Sequence, residues 1–254
     1  MNKEVIGIIP ARYSSVRLKA KPLVDICGLP MIIRVWQNTS KSKIMKNVIV
    51  ATDDERIVNI CKQYNVPAIM TEPALPSGTD RVFAAYKEFC NNKFSNNGEI
   101  VVNIQGDEPL ITSEDIDIML EKFLQSDSDV GTLITKIETA EDLLNSATVK
   151  VVLDAKNNAM YFSRSPIPCL RDIPKEKWLE NSTFWKHIGV YAYKINILEK
   201  FVKLPLSNYE SLEKLEQLRL LEQEAKFLCV ETKSNLIGVD TQEDLDKVRK
   251  ILEK

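Results

Sequence analysis

An α/β fold on a mostly parallel, Rossmann-like sheet follows from three features of the sequence. Short apolar runs rich in β-branched residues recur along the first half. Amphipathic stretches alternate with them, and polar, charged loops follow the carboxyl ends of the runs.

Val5–Ile9 is uninterrupted, β-branched and closed by Pro10, which predicts a strand buried on both faces. "GLPMIIRVWQNTSKS" (28–42) carries Met31, Ile32, Val35 and Trp36 at helical spacing. "NVIVATDD" (47–54) is a second buried strand with acids at its carboxyl end, followed by the amphipathic helix "DERIVNICKQYN" and the strand "VPAIMT". "SGTDRVFAAYKEFC" opens on N-cap residues (Ser77, Thr79, Asp80) and continues as a helix. "EIVVNIQGDEP" (99–109) is a fourth strand ending in a Gly-Asp turn, and "TSEDIDIMLEKFLQ" is a helix capped by Thr112 or Ser113. This alternation to about residue 125 implies βαβ units. Ligands bind such sheets beyond the carboxyl ends of the strands, so the loops after Ile9, Val50, Met70 and Ile104 should converge on one crevice.

Beyond that point the rhythm changes. "VGTLITKI", "TVKVVLD", "NAMYFSRSPIP" and "FWKHIGVYAYK" are strand-like with few helices between them, which predicts an antiparallel excursion over about 150–195. "YESLEKLEQLRLLEQ" (209–223) reads as one amphipathic helix, "KFLCVET" as a strand and "TQEDLDKVRKILEK" as a terminal helix. "CNNKFSNNGE" is the expected mobile loop. We expect a single domain over 1–254, with the excursion inside it.

With 254 residues, 44% hydrophobic and 28% charged, the chain has the composition of a globular protein. A net charge of −2 argues against a general nucleic-acid binder, so any cationic site must be local. The five cysteines are dispersed without metal-ligand spacing, which suggests reduced thiols in the cytoplasm. No run approaches about 18 apolar residues, so no membrane span is expected.

The local positive site is "IPARYSSVRLKAKP" (9–22). Arg12, Arg17 and Lys21 supply fixed charges for a polyphosphate, with Ser14, Ser15 and backbone N–H groups as supplementary donors. The competing reading is a solvated turn with ordinary surface cations. Asp107, just past a buried strand, suits a hard divalent cation such as Mg²⁺, although Gly-Asp is also a common turn. Asp240 stands before the last helix, either as an N-cap with Thr241 or as a second acid of the same metal site. His187 is the one histidine, which makes zinc improbable, and no G-x-S-x-G elbow supports a serine hydrolase. Arg164, at the end of a strand, reads as an ion-pair partner. Trp178, Trp185, Tyr191 and Tyr193 read as packing or interface residues.

The ordered set "IIPARYSSVRLKAKPL", "VATDD", "MTEPALPSGTDR", "VVNIQGDEP", "VKVVLD", "YFSRSPIP", "HIGVYAY", "LEQLR" and "GVDTQEDL" runs the length of the chain. It resembles the 3-deoxy-manno-octulosonate (Kdo) cytidylyltransferases. The resemblance implies a nucleotide-diphospho-sugar transferase type of fold whose strand-rich excursion serves dimerisation, hence a homodimer. It also implies CTP and Kdo as substrates, Mg²⁺ as cofactor, CMP-Kdo and pyrophosphate as products, and a role in lipopolysaccharide biosynthesis. Arg12, Arg17 and Lys21 would then hold the triphosphate with Ser14, and Ser77, Gly78 and Arg81 would border cytosine. Gln105 would position nucleotide and sugar, and Asp107 with Asp240 would hold the metal. Arg164, His187, Tyr191, Glu216 and Gln217 would read the sugar. Arg12, Arg17, Lys21 and Asp107 would be the catalytic set. One departure is Lys19-Ala20 where the family commonly reads Pro-Gly, which removes the residue that most easily adopts positive φ. Alternative readings are a cytidylyltransferase for 8-amino-Kdo or another acidic sugar, a metal-dependent glycosyltransferase, and a non-catalytic CTP-binding module.

Overall fold

The computed structural model describes residues 4–14, 18–90 and 99–253. Ser15, Arg17 and most of the expected mobile loop lie outside the described residues. In chain order the first elements are β1 (Val5–Ala11), β2 (Asp25–Ile26), β3 (Leu29–Pro30), α1 (Met31–Thr39), β4 (Asn47–Thr52), α2 (Glu55–Gln63), β5 (Ala68–Met70), α3 (Gly78–Phe89), β6 (Ile100–Asn103) and α4 (Ser113–Leu124). There follow β7 (Val130–Lys136), α5 (Ala140–Leu144), β8 (Lys150–Leu153), β9 (Ala159–Ser163), α6 (Trp178–Asn181), β10 (Trp185–Lys194), α7 (Ile195–Lys203), α8 (Asn208–Glu213), α9 (Gln217–Leu221), β11 (Phe227–Glu231) and α10 (Gln242–Leu252).

The chain divides into two compact units. The first comprises Met1–Ile118, Ala192–Val202 and Asn235–Lys254, and the second Met119–Tyr191 and Lys203–Ser234. Within the first, β6, β1, β4 and β5 lie side by side and every pair is parallel, with Ile8 opposite Ile49 on one side and Asn103 on the other. Ile8, Ile9, Val50, Ala51, Val101 and Val102 are sealed from solvent, as expected of strands covered on both faces. The βαβ reading of the first half is therefore correct. The β2–β3 hairpin was not anticipated from "CGLP". Its turn places Cys27 and Gly28 at positive φ (50° and 83°), immediately before α1.

In the second unit β8 and β9 pair antiparallel, and β10 pairs antiparallel with β8, which gives the predicted excursion. β7 differs: it runs parallel to β11, with Thr132 opposite Cys229. Residues 209–223 do not form one helix either. They split into α8 and α9 because Lys214 turns left-handed (φ 54°). Glu213 accepts from the Ser163 hydroxyl (2.6 Å) and the Arg164 backbone N–H (2.9 Å), so tertiary bonds override the local helical periodicity. Trp178 stacks on Phe184 inside an apolar cluster with Ile137 and Leu143, and Tyr191 and Tyr193 are buried. All three are therefore covered within the chain. No helix among the described residues is long and apolar enough to cross a membrane.

Candidate active site

Three loops of the first unit meet at one cation. Lys21 Nζ donates to Asp107 Oδ2 at 2.6 Å and to Asp240 Oδ1 at 2.7 Å. The loop after β1 brings Lys21 in on a single 3₁₀ turn, Lys21–Leu23, entered through Ala20. Ala20 sits at φ 53°, ψ 34°, so the left-handed geometry persists where the family commonly has glycine. Asp107 follows β6, and Asp240 precedes α10. Thr241 caps that helix in a reciprocal capping box with Asp244, which leaves the Asp240 carboxylate to the lysine.

Sequence-local chemistry explains the convergence. Ile26, Met31, Val239, Leu245 and Val248 form one buried cluster against which Leu18, Val24 and Leu110 pack, so all three loops are anchored in the same apolar mass. The Val239 N–H donates to the Asp107 carbonyl (2.8 Å), tying the two acid-bearing loops together directly. Gly106 is required by close approach: a Cβ there would stand 3.0 Å from the Pro10 carbonyl oxygen, where the β1 and β6 loops touch. Burial disfavours charge on Lys21, but the two carboxylates outweigh it and hold the ammonium above the ordinary lysine pKa. Two carboxylates converging on one cation through oxygen atoms match a hard divalent ion that takes its remaining ligands from water and phosphate. The donor set therefore fits Mg²⁺. Among the described residues no group of three or more acids, histidines or cysteines offers an all-protein cage.

The other residues expected to hold nucleotide also lie in the first unit. Arg12 is exposed and donates to the Leu75 carbonyl, and Ser14 is exposed. Ser77 caps α3 by accepting from the Asp80 N–H (3.2 Å), and Gly78 is the first residue of that helix. Arg81 is sealed from solvent, paired with Asp53 at 2.6 Å and bonded to Thr71. Desolvation lowers its pKa, partly offset by Asp53, and the nearby Arg12 adds to the lowering. Its Nε is buried without a hydrogen-bond partner among the described residues. Gln105 is half-buried, 3.5 Å from Asn103. Sequence reasoning missed Asp53 as the residue that holds Arg81, although the paired acids of "VATDD" at a strand's carboxyl end were the available signal. It also missed the Asp54–Arg56 fork, in which Arg56 stacks 3.3 Å over the Tyr13 ring beside the cationic loop.

The residues expected to read a sugar lie in the second unit. His187 and Tyr191 stand four apart on β10, on one face, with ring centroids 5.3 Å apart. Burial pushes His187 down to about 3. Thr132 Oγ1 lies 2.8 Å from the Val190 carbonyl and 3.2 Å from that of Ile188, while His187 Nε2 is 3.0 Å away. The hydroxyl proton goes to a carbonyl, so Nε2 carries the imidazole proton toward Oγ1 and Nδ1 keeps its lone pair. Burial raises Tyr191 well above 10, and the charge of Glu216 reinforces the shift. Gln217 begins α9 and is buried. Arg164 is already engaged: Nε donates to the Glu213 carbonyl (2.7 Å), Nη1 to that of Ser146 (3.0 Å) and Nη2 to that of Lys214 (3.3 Å). Lys150, also sealed from solvent, gives its three protons to the carbonyls of Asn145, Thr148 and Arg164 at 2.6–2.9 Å.

A family model described as cytidylyltransferase matches residues 6–227. The chain is 42% identical to the 3-deoxy-manno-octulosonate cytidylyltransferase of Thermodesulfovibrio yellowstonii over 97% of both chains. It is 45% identical to that of Lawsonia intracellularis, covering 97% of this chain and 93% of the relative. A solved structure of CMP:2-keto-3-deoxy-manno-octonic acid synthetase complexed with CTP superposes with a TM-score of 0.88 at 37% identity, over 99% of each chain. A 4-diphosphocytidyl-2C-methyl-D-erythritol synthase from Anaerococcus prevotii, 15% identical with a TM-score of 0.60, shares the fold.

Proposed function

The chain belongs to the cytidylyltransferase family, and from that premise we propose that it activates 3-deoxy-manno-octulosonate with CTP, giving CMP-Kdo and pyrophosphate. The observation that carries this reading is the meeting of Lys21 from the loop after β1, Asp107 from the loop after β6 and Asp240 from the segment before α10. The reaction forms a bond from the anomeric hydroxyl oxygen to the α-phosphorus of CTP and breaks the α–β bridge. Such transfer needs positioning and charge neutralisation more than covalent catalysis. Arg12, Lys21 and, beyond the described residues, Arg17 neutralise the triphosphate. Ser77 and Gly78, at the amino end of α3, border the base with Arg81, which Asp53 holds in place. Asp107 and Asp240 are the residues that would hold Mg²⁺, which supplies a lowered pKa for the nucleophile and stabilisation of the leaving pyrophosphate.

In the second unit, His187 Nδ1 is an acceptor for a sugar hydroxyl, and the Tyr191 phenol stays protonated as a donor. Glu216 and Gln217 add an acceptor and an amide. Arg164 complements the sugar acid electrostatically while its donors hold the backbone around Lys214. The five free thiols suit a reduced, cytoplasmic compartment, and a homodimer follows from the family resemblance. The product suits lipopolysaccharide assembly.

Pyrophosphate release with CTP and a panel of Kdo, 8-amino-Kdo and sialic acid tests the reading. The expected result is the highest kcat/KM with Kdo. Turnover with a nucleoside-diphosphate sugar and none with CTP would make the protein a glycosyltransferase instead.

A further inference from the structure

Lys21 has been assigned to the triphosphate, yet its ammonium lies on the two carboxylates that would hold the metal. We propose that Lys21 is a resident placeholder cation, occupying the divalent-metal position between Asp107 and Asp240 until nucleotide draws it away. The inference rests on the metal site proposed above.

The carboxylates are held together independently of the lysine. The Val239 N–H bonds the Asp107 carbonyl, and the surrounding loops share one buried cluster. At Gly238, in the Asp240-bearing loop, a Cβ would stand 3.0 Å from Glu108 Oε1, so the side chain that follows Asp107 packs against that loop. Two like charges fixed this near each other need a cation. Lys21 supplies one with contacts of 2.6 and 2.7 Å, in the range of charge-assisted hydrogen bonds. An ammonium is a compact point charge on a flexible stem, so it can occupy this position and later move to phosphate without rebuilding the loop.

The consequence is an order of events. Free metal must displace the ammonium from both acids with no anion to receive it. A triphosphate offers that anion, so metal alone displaces the ammonium only by costly competition and binds more tightly once nucleotide is present. The placeholder also keeps the acid pair assembled in the nucleotide-free protein.

The test measures Mn²⁺ binding to the nucleotide-free protein by electron paramagnetic resonance. Removing a charge-assisted competitor in Lys21→Met should tighten Mn²⁺ binding by about tenfold or more, since each 1.4 kcal/mol of lost competition is a factor of ten. A second measurement on the wild-type protein does not depend on the variant folding. Reductive methylation of the nucleotide-free protein by formaldehyde and cyanoborohydride should modify Lys21 faster at saturating Mn²⁺, while exposed Lys41 is unaffected. Unchanged or weaker Mn²⁺ binding in a folded Lys21→Met protein would overturn the proposal, as would Lys21 methylation indifferent to Mn²⁺. Mn²⁺ binding to Asp107→Asn as tightly as to wild type would remove the metal site itself, and the placeholder with it.

Discussion

Ala20 shows how one backbone torsion shapes the site. A left-handed alanine costs about 1–2 kcal/mol relative to the right-handed form, and glycine avoids that cost while losing about 0.5–1 kcal/mol in chain entropy. Ala20→Gly should therefore stabilise the protein by about 0.5–1 kcal/mol, read as a higher urea midpoint at constant slope; an unchanged or lower midpoint would show that φ 53° carries no strain. His187 provides a second residue-scale prediction. Its folded pKa of about 3 lies below the ordinary 6.5, so between those values the unfolded chain binds a proton that the native state lacks. This contribution is complete above pH 6.5 and falls as pH drops through the window, by up to about 1.4 kcal/mol per pH unit. As the sole histidine it gives an unambiguous nitrogen-15 spectrum, which should show the Nε2–H tautomer and no titration from pH 8 to 5. A midpoint near 6.5 would contradict the buried, Thr132-bonded ring.

Among the elements, the split between α8 and α9 is the clearest case of context overriding periodicity. Glu210, the third residue of α8, is buried and closes a capping box with Ser207, while Arg219 of α9 meets its carboxylate at 2.7 and 2.5 Å. This pair clamps the two short helices across the left-handed Lys214. Removing one partner leaves a buried charge, so Arg219→Leu should lower unfolding free energy by about 3 kcal/mol, with Glu210→Gln in the same chain restoring part of it. A loss below 1 kcal/mol would mean that the clamp is not what holds the helices. The amphipathic pattern of residues 209–223 was legible, but the interruption depended on Ser163 and Arg164, some fifty positions away, drawing in Glu213. The parallel βαβ half was readable for the opposite reason. Its signals are local: continuous apolar strands, N-caps at Ser77 and Thr112, and Pro10.

For the whole molecule, the sequence's site residues sort by unit. Arg12, Lys21, Ser77, Arg81, Gln105, Asp107 and Asp240 lie in the first, and Arg164, His187, Tyr191, Glu216 and Gln217 in the second. Residue type announced the charge chemistry: cations after the first strand and acids at later strand ends. It did not announce partners. That Lys21 would rest on both acids, or that Asp53 would hold Arg81, depends on loops far apart in the chain brought together by one apolar cluster and one strand pairing. If these acids serve nucleotidyl transfer, the initial rate of pyrophosphate release from CTP and Kdo, titrated with Mg²⁺, depends on them. The expected rate is Kdo- and Mg²⁺-dependent and falls at least about 100-fold in folded Asp107→Asn and Asp240→Asn, because the metal the acids would hold would supply several kcal/mol of transition-state stabilisation. A wild-type rate in either variant at low Mg²⁺ would contradict it.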